Sequence, residues 1–155
     1  LRQFCLMAAF SLGHSLTLMI CVLNDIQVNP FLIDAIIVFS VFYKGFDNLG
    51  GFKYYFGKQP NPKIAVLIFG LFHGFGLASK IQEFQLPEEG LAINLLSFNI
   101  GVELGQFIAL MFILLAINYW RRFESFERFS KITNTALMSA GFMLIGMQLT
   151  GYLVN

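Results

Sequence analysis

The chain has 155 residues, of which 57% are hydrophobic and 12% charged, and its formal net charge is +1. A soluble domain averages about 45–50% apolar and about 25% charged residues, so the polar side chains here are too few to cover a water-facing surface. That balance disfavours a soluble enzyme, a disordered tail and a nucleic-acid binder, the last also because phosphate binders carry a basic excess. What remains is an integral membrane protein.

A helix crosses the hydrocarbon layer with about 20 mostly apolar residues, and five runs of that kind stand between polar breaks. The first covers about residues 4–23 and ends at the polar stretch Asn24 to Pro30. The second, about 31–49, stops at Gly50-Gly51 and a linker carrying Lys53, Lys58, Pro60, Pro62 and Lys63. The third, about 64–79, is closed by the acidic loop from Lys80 to Gly90, which holds Glu83, Glu88 and Glu89. The fourth, about 91–120, ends at Arg121-Arg122, and the fifth covers about 132–154. Stretches such as LIFGLF and ALMFILLAI do not alternate apolar with polar residues, which rules out barrel strands. In lipid each segment must pair its own backbone groups, so the expected fold is all-α, a polytopic transmembrane helical bundle in one domain. Cys5 and Cys21, if helical, lie roughly 24 Å apart, beyond disulfide reach, and are expected to be buried apolar fillers.

The basic residues set an orientation. One side collects Arg2, Lys53, Lys58, Lys63, Arg121, Arg122, Arg128 and Lys131, and the other only Lys80. Loops 50–63 and 121–131 are therefore expected in the cytoplasm and the C-terminus outside. The mixed-sign RRFESFERFSK stretch reads as a solvated or interfacial turn of helix. The chain opens directly into an apolar segment without a Met, so either a cleaved signal peptide or a further helix is expected upstream.

Ionisable groups inside a spanning helix each cost a few kcal/mol and ask for a partner. His14, His73 and Glu103 fall near the middle of the first, third and fourth runs, so three costly groups share one depth. Two imidazoles and a carboxylate suit Ni, Co, Zn or Fe better than Mg or Ca. Asn99, Glu103 and Gln106 form a polar stripe on one helical face. Gly70 and Gly74 bracket His73, Gly101 and Gly105 bracket Glu103, and Gly76 adds another small position, so close helix approach is expected at both sites. A membrane histidine also serves as a hydrogen-bonded packing residue, and that reading stays open. Asp47 and Lys44 are spaced for an i, i+3 ion pair. Asp34, expected in the first turn of the second helix, is either a helix-start carboxylate or a ligand.

Three blocks, GHSLTL at 13–18, FGLFHGFGLAS at 69–79 and LLSFNIGVELGQ at 95–106, resemble the HupE/UreJ family of bacterial membrane proteins. IDAIIVFSVFYKGFDNL resembles the family's acidic helix, with Asp34 and Asp47 where its members tend to have carboxylates. The resemblance implies a protein of the bacterial inner membrane, associated with hydrogenase or urease gene clusters and regarded as a nickel or cobalt permease. The family's usual first helix, with an HxxxGxDH-like motif, is not in this sequence, which again implies a preceding helix.

Together these readings predict a bundle that binds a divalent transition metal, Ni, Co or Zn, between its helices. His14, His73, Glu103 and Asp34 are the expected ligands, with Asn99, Gln106 and Asp47 supporting them. The expected partners are the lipid bilayer and the metal ion, with a homo-oligomer or a larger membrane complex left open. The alternatives are a haem-binding subunit with His14 and His73 as axial ligands, or a structural subunit that uses the polar cluster as interhelical glue. No nucleophile–base pair, phosphate loop or HExxH motif is present, so an enzyme is not expected.

Overall fold

A computed structural model describes residues 2–83 and 89–154, so Glu88 of the acidic loop lies outside the described residues. It contains α1 (Arg2–Leu23), α2 (Pro30–Asn48), α3 (Gly51–Phe56), α4 (Pro62–Glu83), α5 (Leu91–Trp120) and α6 (Ser125–Val154). No strand occurs among the described residues.

The local causes are readable. Asn29 caps α2, its side chain accepting from the Phe31 and Leu32 amides at 3.0 and 3.3 Å, with Pro30 in the first turn where its missing N–H costs nothing. Because α2 begins at Pro30, its first turn holds no acidic residue, and Asp34 falls beyond it. The helix-start role expected for Asp34 is thereby removed. The linker after α2 contains the short α3, bounded by Gly50 and Gly57 at φ 79° and 69°, where a side chain would be strained. Phe52 of α3 packs on Tyr43 and Phe46, with ring centroids 4.8 and 4.9 Å apart. Helix α6 starts at Ser125 rather than near Ile132, since SFERFSK contains no breaker and simply joins the apolar run.

Four helices, α1, α4, α5 and α6, are long and apolar enough to cross a membrane. Five spans were expected. The difference is α2, whose 19 residues include Asp34, Lys44 and Asp47, too much charge to qualify by composition.

The helices pack in a row: α6 on α2, α2 on α4, α4 on α1 and α1 on α5. The closest contact is α1 with α4, which run parallel. A Cβ added to Gly13 would meet the Leu67 carbonyl oxygen at 2.7 Å, and one on Gly74 the His14 carbonyl oxygen at 2.5 Å. One on Gly70 would run into the Phe10 carbonyl. Backbones this near require glycine on both helices, and Gly13 is the partner that Gly70 and Gly74 need. Leu18, Cys21 and Ala78 continue the seam as a buried cluster. Cys5, by contrast, is exposed rather than a buried filler. Gly76 lets α2 approach, since a Cβ there would lie 2.6 Å from Ile37 Cδ1.

Gly101 and Gly105 do not behave as expected. Nothing lies within 4 Å of a Cβ at either position. Leu95 and Asn99 are the buried positions of α5, and two further residues turn a helix by about 200°, which sends Gly101 away from α1.

The burial pattern is inside-out for a protein in water. Ile93, Phe112, Leu115, Phe142 and Met143 are exposed, whereas Ser11, His14, Thr17 and Asn99 are buried. An apolar exterior suits lipid, where helices gain nothing by hiding leucine from leucine-like tails. Gly70→Val should therefore lower thermal stability in detergent by about 1–3 kcal/mol through overpacking, whereas Gly101→Val should leave it unchanged. Equal melting temperatures for the two variants would remove the α1–α4 seam as the main constraint.

Candidate functional site

The polar residues buried in the seam define the site. His14 is 7% exposed, and neither Nδ1 nor Nε2 has a hydrogen-bond partner among the described residues. Asn99, 4% exposed, likewise leaves its Oδ1 and Nδ2 unpaired. An unpaired polar group in an interior costs about 1–3 kcal/mol, so these four atoms mark a place where the fold gives up stability.

His73, half-buried on α4, is oriented differently. Its Nδ1 lies 2.8 Å from the Phe69 carbonyl oxygen. A carbonyl can only accept, so Nδ1 is the donor in this bond and Nε2 is the ring nitrogen left for another partner. His73 also lines a cavity of about 350 Å³.

Glu103 projects from α5 toward α1, and its Oε1 accepts a 3.1 Å hydrogen bond from Ser15 Oγ. The carboxylate is otherwise exposed. Asn99 lies one turn earlier on the same face, and Phe107 one turn later packs on Phe4 of α1 with ring centroids 5.6 Å apart. Gln106 is half-buried on that side of α5. Asp34 is half-buried on α2 and makes no hydrogen bond or ion pair among the described residues. Asp47 binds Lys44 Nζ through Oδ2 at 2.7 Å, the i, i+3 pair that the spacing predicts.

Among the described residues, no three His, Cys, Asp or Glu side chains converge closely enough to hold a metal ion. The arrangement is thus a line of polar groups across α4, α1 and α5 rather than a closed cage. Two residues in contact with this line were missed from the sequence. Ser15, next to His14, is the donor to Glu103. Phe10, one turn before His14, lays its ring against both imidazoles, with centroids 6.1 Å from His14 and 5.1 Å from His73. Position i−4 to His14 was the available signal for Phe10; Ser15 had none, because its partner is 88 residues away.

An apolar outer surface around helices with buried polar groups defines a multi-pass helical membrane protein. The chain belongs to the HupE/UreJ protein family, which it matches over residues 2–155. No curated protein and no solved structure matches it.

Replacing a buried unpaired polar group by an apolar one of similar volume removes a penalty. Metal-free His14→Leu protein should melt no lower than wild type in detergent, whereas Leu18→Ala, which opens a cavity in the same seam, should melt lower. A clear loss of stability in His14→Leu would show that the imidazole is already satisfied.

Proposed function

We propose that the chain binds a divalent transition-metal cation, nickel or cobalt, within the membrane and carries it across as cargo. The family is associated with nickel and cobalt transport, and the observation that carries the reading for this chain is His14. A buried imidazole whose nitrogens have no partner among the described residues is costly, and a cation on its lone pair would offset that cost. Imidazole nitrogen suits Ni, Co and Zn, whereas Mg and Ca prefer all-oxygen sets.

In this reading His14 and His73 supply nitrogen ligands, the latter through Nε2. Glu103 supplies charge, Asn99 a neutral oxygen, and Gln106 a polar neighbour on the same helix. Ser15 holds the carboxylate toward α1 until a cation draws it in. Asp34 serves as an accessory carboxylate on α2. These groups do not converge among the described residues, so binding one cation to all of them requires side-chain or helix movement, as a carrier that must also release its cargo needs. Membership of the HupE/UreJ family supports a bacterial inner-membrane location, and the basic-residue count supports loops 50–63 and 121–131 in the cytoplasm with the C-terminus outside.

A ligand at a hundred times its dissociation constant stabilises its protein by about 2.7 kcal/mol. Nickel or cobalt should raise the melting temperature of purified wild-type protein in detergent, leave His14→Leu unmoved, and bind Glu103→Gln more weakly. Elemental analysis of wild type and Glu103→Gln checks the last point, and equal metal content would remove Glu103 from the site. No thermal shift with either metal, or a Soret band in the isolated protein, would overturn the reading.

A further inference from the structure

Two cavities meet at the last turns of α2. The outer one, about 520 Å³, lies among Gln3, Leu6 and the Gln59–Pro62 segment. The inner one, about 350 Å³, runs past Ser40, Tyr43 and Phe69 to Phe10 and His73. Both are walled by Lys44, Asp47 and Asn48 of α2 and by Pro60 and Pro62, which therefore form a neck between them.

The neck is held by polar contacts. Asp47 uses both carboxylate oxygens, accepting from Lys44 Nζ at 2.7 Å and from Gln59 Nε2 at 3.1 Å, while Asn48 Nδ2 donates to Asn134 Oδ1 of α6 at 2.9 Å. The two members of the ion pair are unequally placed. The Asp47 side chain is 13% exposed and the Lys44 side chain 56%. The carboxylate is therefore built into the neck, whereas the ammonium has room to swing outward on its flexible stem. An arriving cation can replace the ammonium on Asp47 while the exposed ammonium turns to water, so the carboxylate is never left unpaired, which matters because an unpaired buried carboxylate is costly.

We propose that Asp47 is the entrance carboxylate of a cation path that runs from the Gly50–Pro62 side through the inner cavity to His73. Lys44 is the internal counter-cation that occupies Asp47 when no ion is passing. The Phe10 ring, against both imidazoles, forms the inner end of the path. This inference rests on the reading of His73 as a ligand, but the path itself can be tested without any metal.

The test uses a Cys5→Ser, Cys21→Ala background carrying Ser40→Cys, in sealed membrane vesicles of each orientation. The probe is the permanently charged trimethylammonioethyl methanethiosulfonate, compared with an uncharged methanethiosulfonate of similar size. The thiol should react with the cationic reagent from the Gly50–Pro62 side and not from the opposite side. Asp47→Asn should slow the cationic reagent about tenfold and Lys44→Gln should speed it, with the neutral reagent little changed, because local charge concentrates counter-ions in a narrow cleft. Opposite effects of two adjacent substitutions are not what a loss of folding produces, and Asp47→Glu should restore the rate.

Three results would overturn the path, and a fourth separates it from the metal reading. A thiol that reacts only with a lipid-soluble maleimide would mark the inner cavity as an acyl-chain groove. Reaction from the opposite side, or cationic rates indifferent to Asp47 and Lys44, would remove the neck. Normal labelling in protein that shows no nickel-induced thermal shift would leave the path standing and retire the metal reading.

Discussion

Everything in this molecule hangs on how closely α1 and α4 approach. Gly13, Gly70 and Gly74 let the two backbones touch, so that a single added carbon on any of them would meet a carbonyl of the other helix. In lipid there is no hydrophobic gain in pressing two apolar helices together, so this contact rests on van der Waals packing of small residues. Its by-product is chemical. A seam this tight carries His14 into the interior and sets His73 beside the same Phe10 ring.

The site follows from that seam by addition. Helix α5 brings Asn99 and Glu103 to the other side of α1, joined through Ser15, and α2 closes on α4 at Gly76. The result is a polar line spread over three helices, with unpaired atoms at its buried part and the cavity on the His73 side. A resting cage with all ligands in place would hold its cation tightly, whereas groups that must move to converge exchange affinity for release. The proposed carrier role needs the second behaviour.

Helix α2 differs from its neighbours. Its charged residues remove it from the set of plainly apolar spans, yet it is the helix on which α4 and α6 both pack. Its C-terminal turns hold the Lys44–Asp47 pair at the junction of two cavities. Charge that would be a defect in a lipid-facing helix is tolerated where the helix lines a cavity, and α2 lines one together with residues of α4 and α6.

Much of this was legible in the chain. Apolar runs and polar breaks located the helices to within a turn for α1, α2 and α5, because composition in lipid leaves the backbone one option. The same runs misplaced the start of α6, where a charged stretch continues a helix, and missed α3, whose six residues form only between two glycines. Mid-run polarity singled out His14, His73 and Glu103, since such groups are rare enough to stand out individually. The sequence by itself therefore determined the solvent, the helices and the residues that do not belong in lipid. Only the tertiary structure decided which glycines are contacts, turning Gly101 and Gly105 outward and pairing Gly13 with α4, that Ser15 meets Glu103, and that Asp47 stands at a neck. Those facts depend on helix rotation and on partners far apart in the chain, and periodicity along one helix says which residues share a face but not what that face meets.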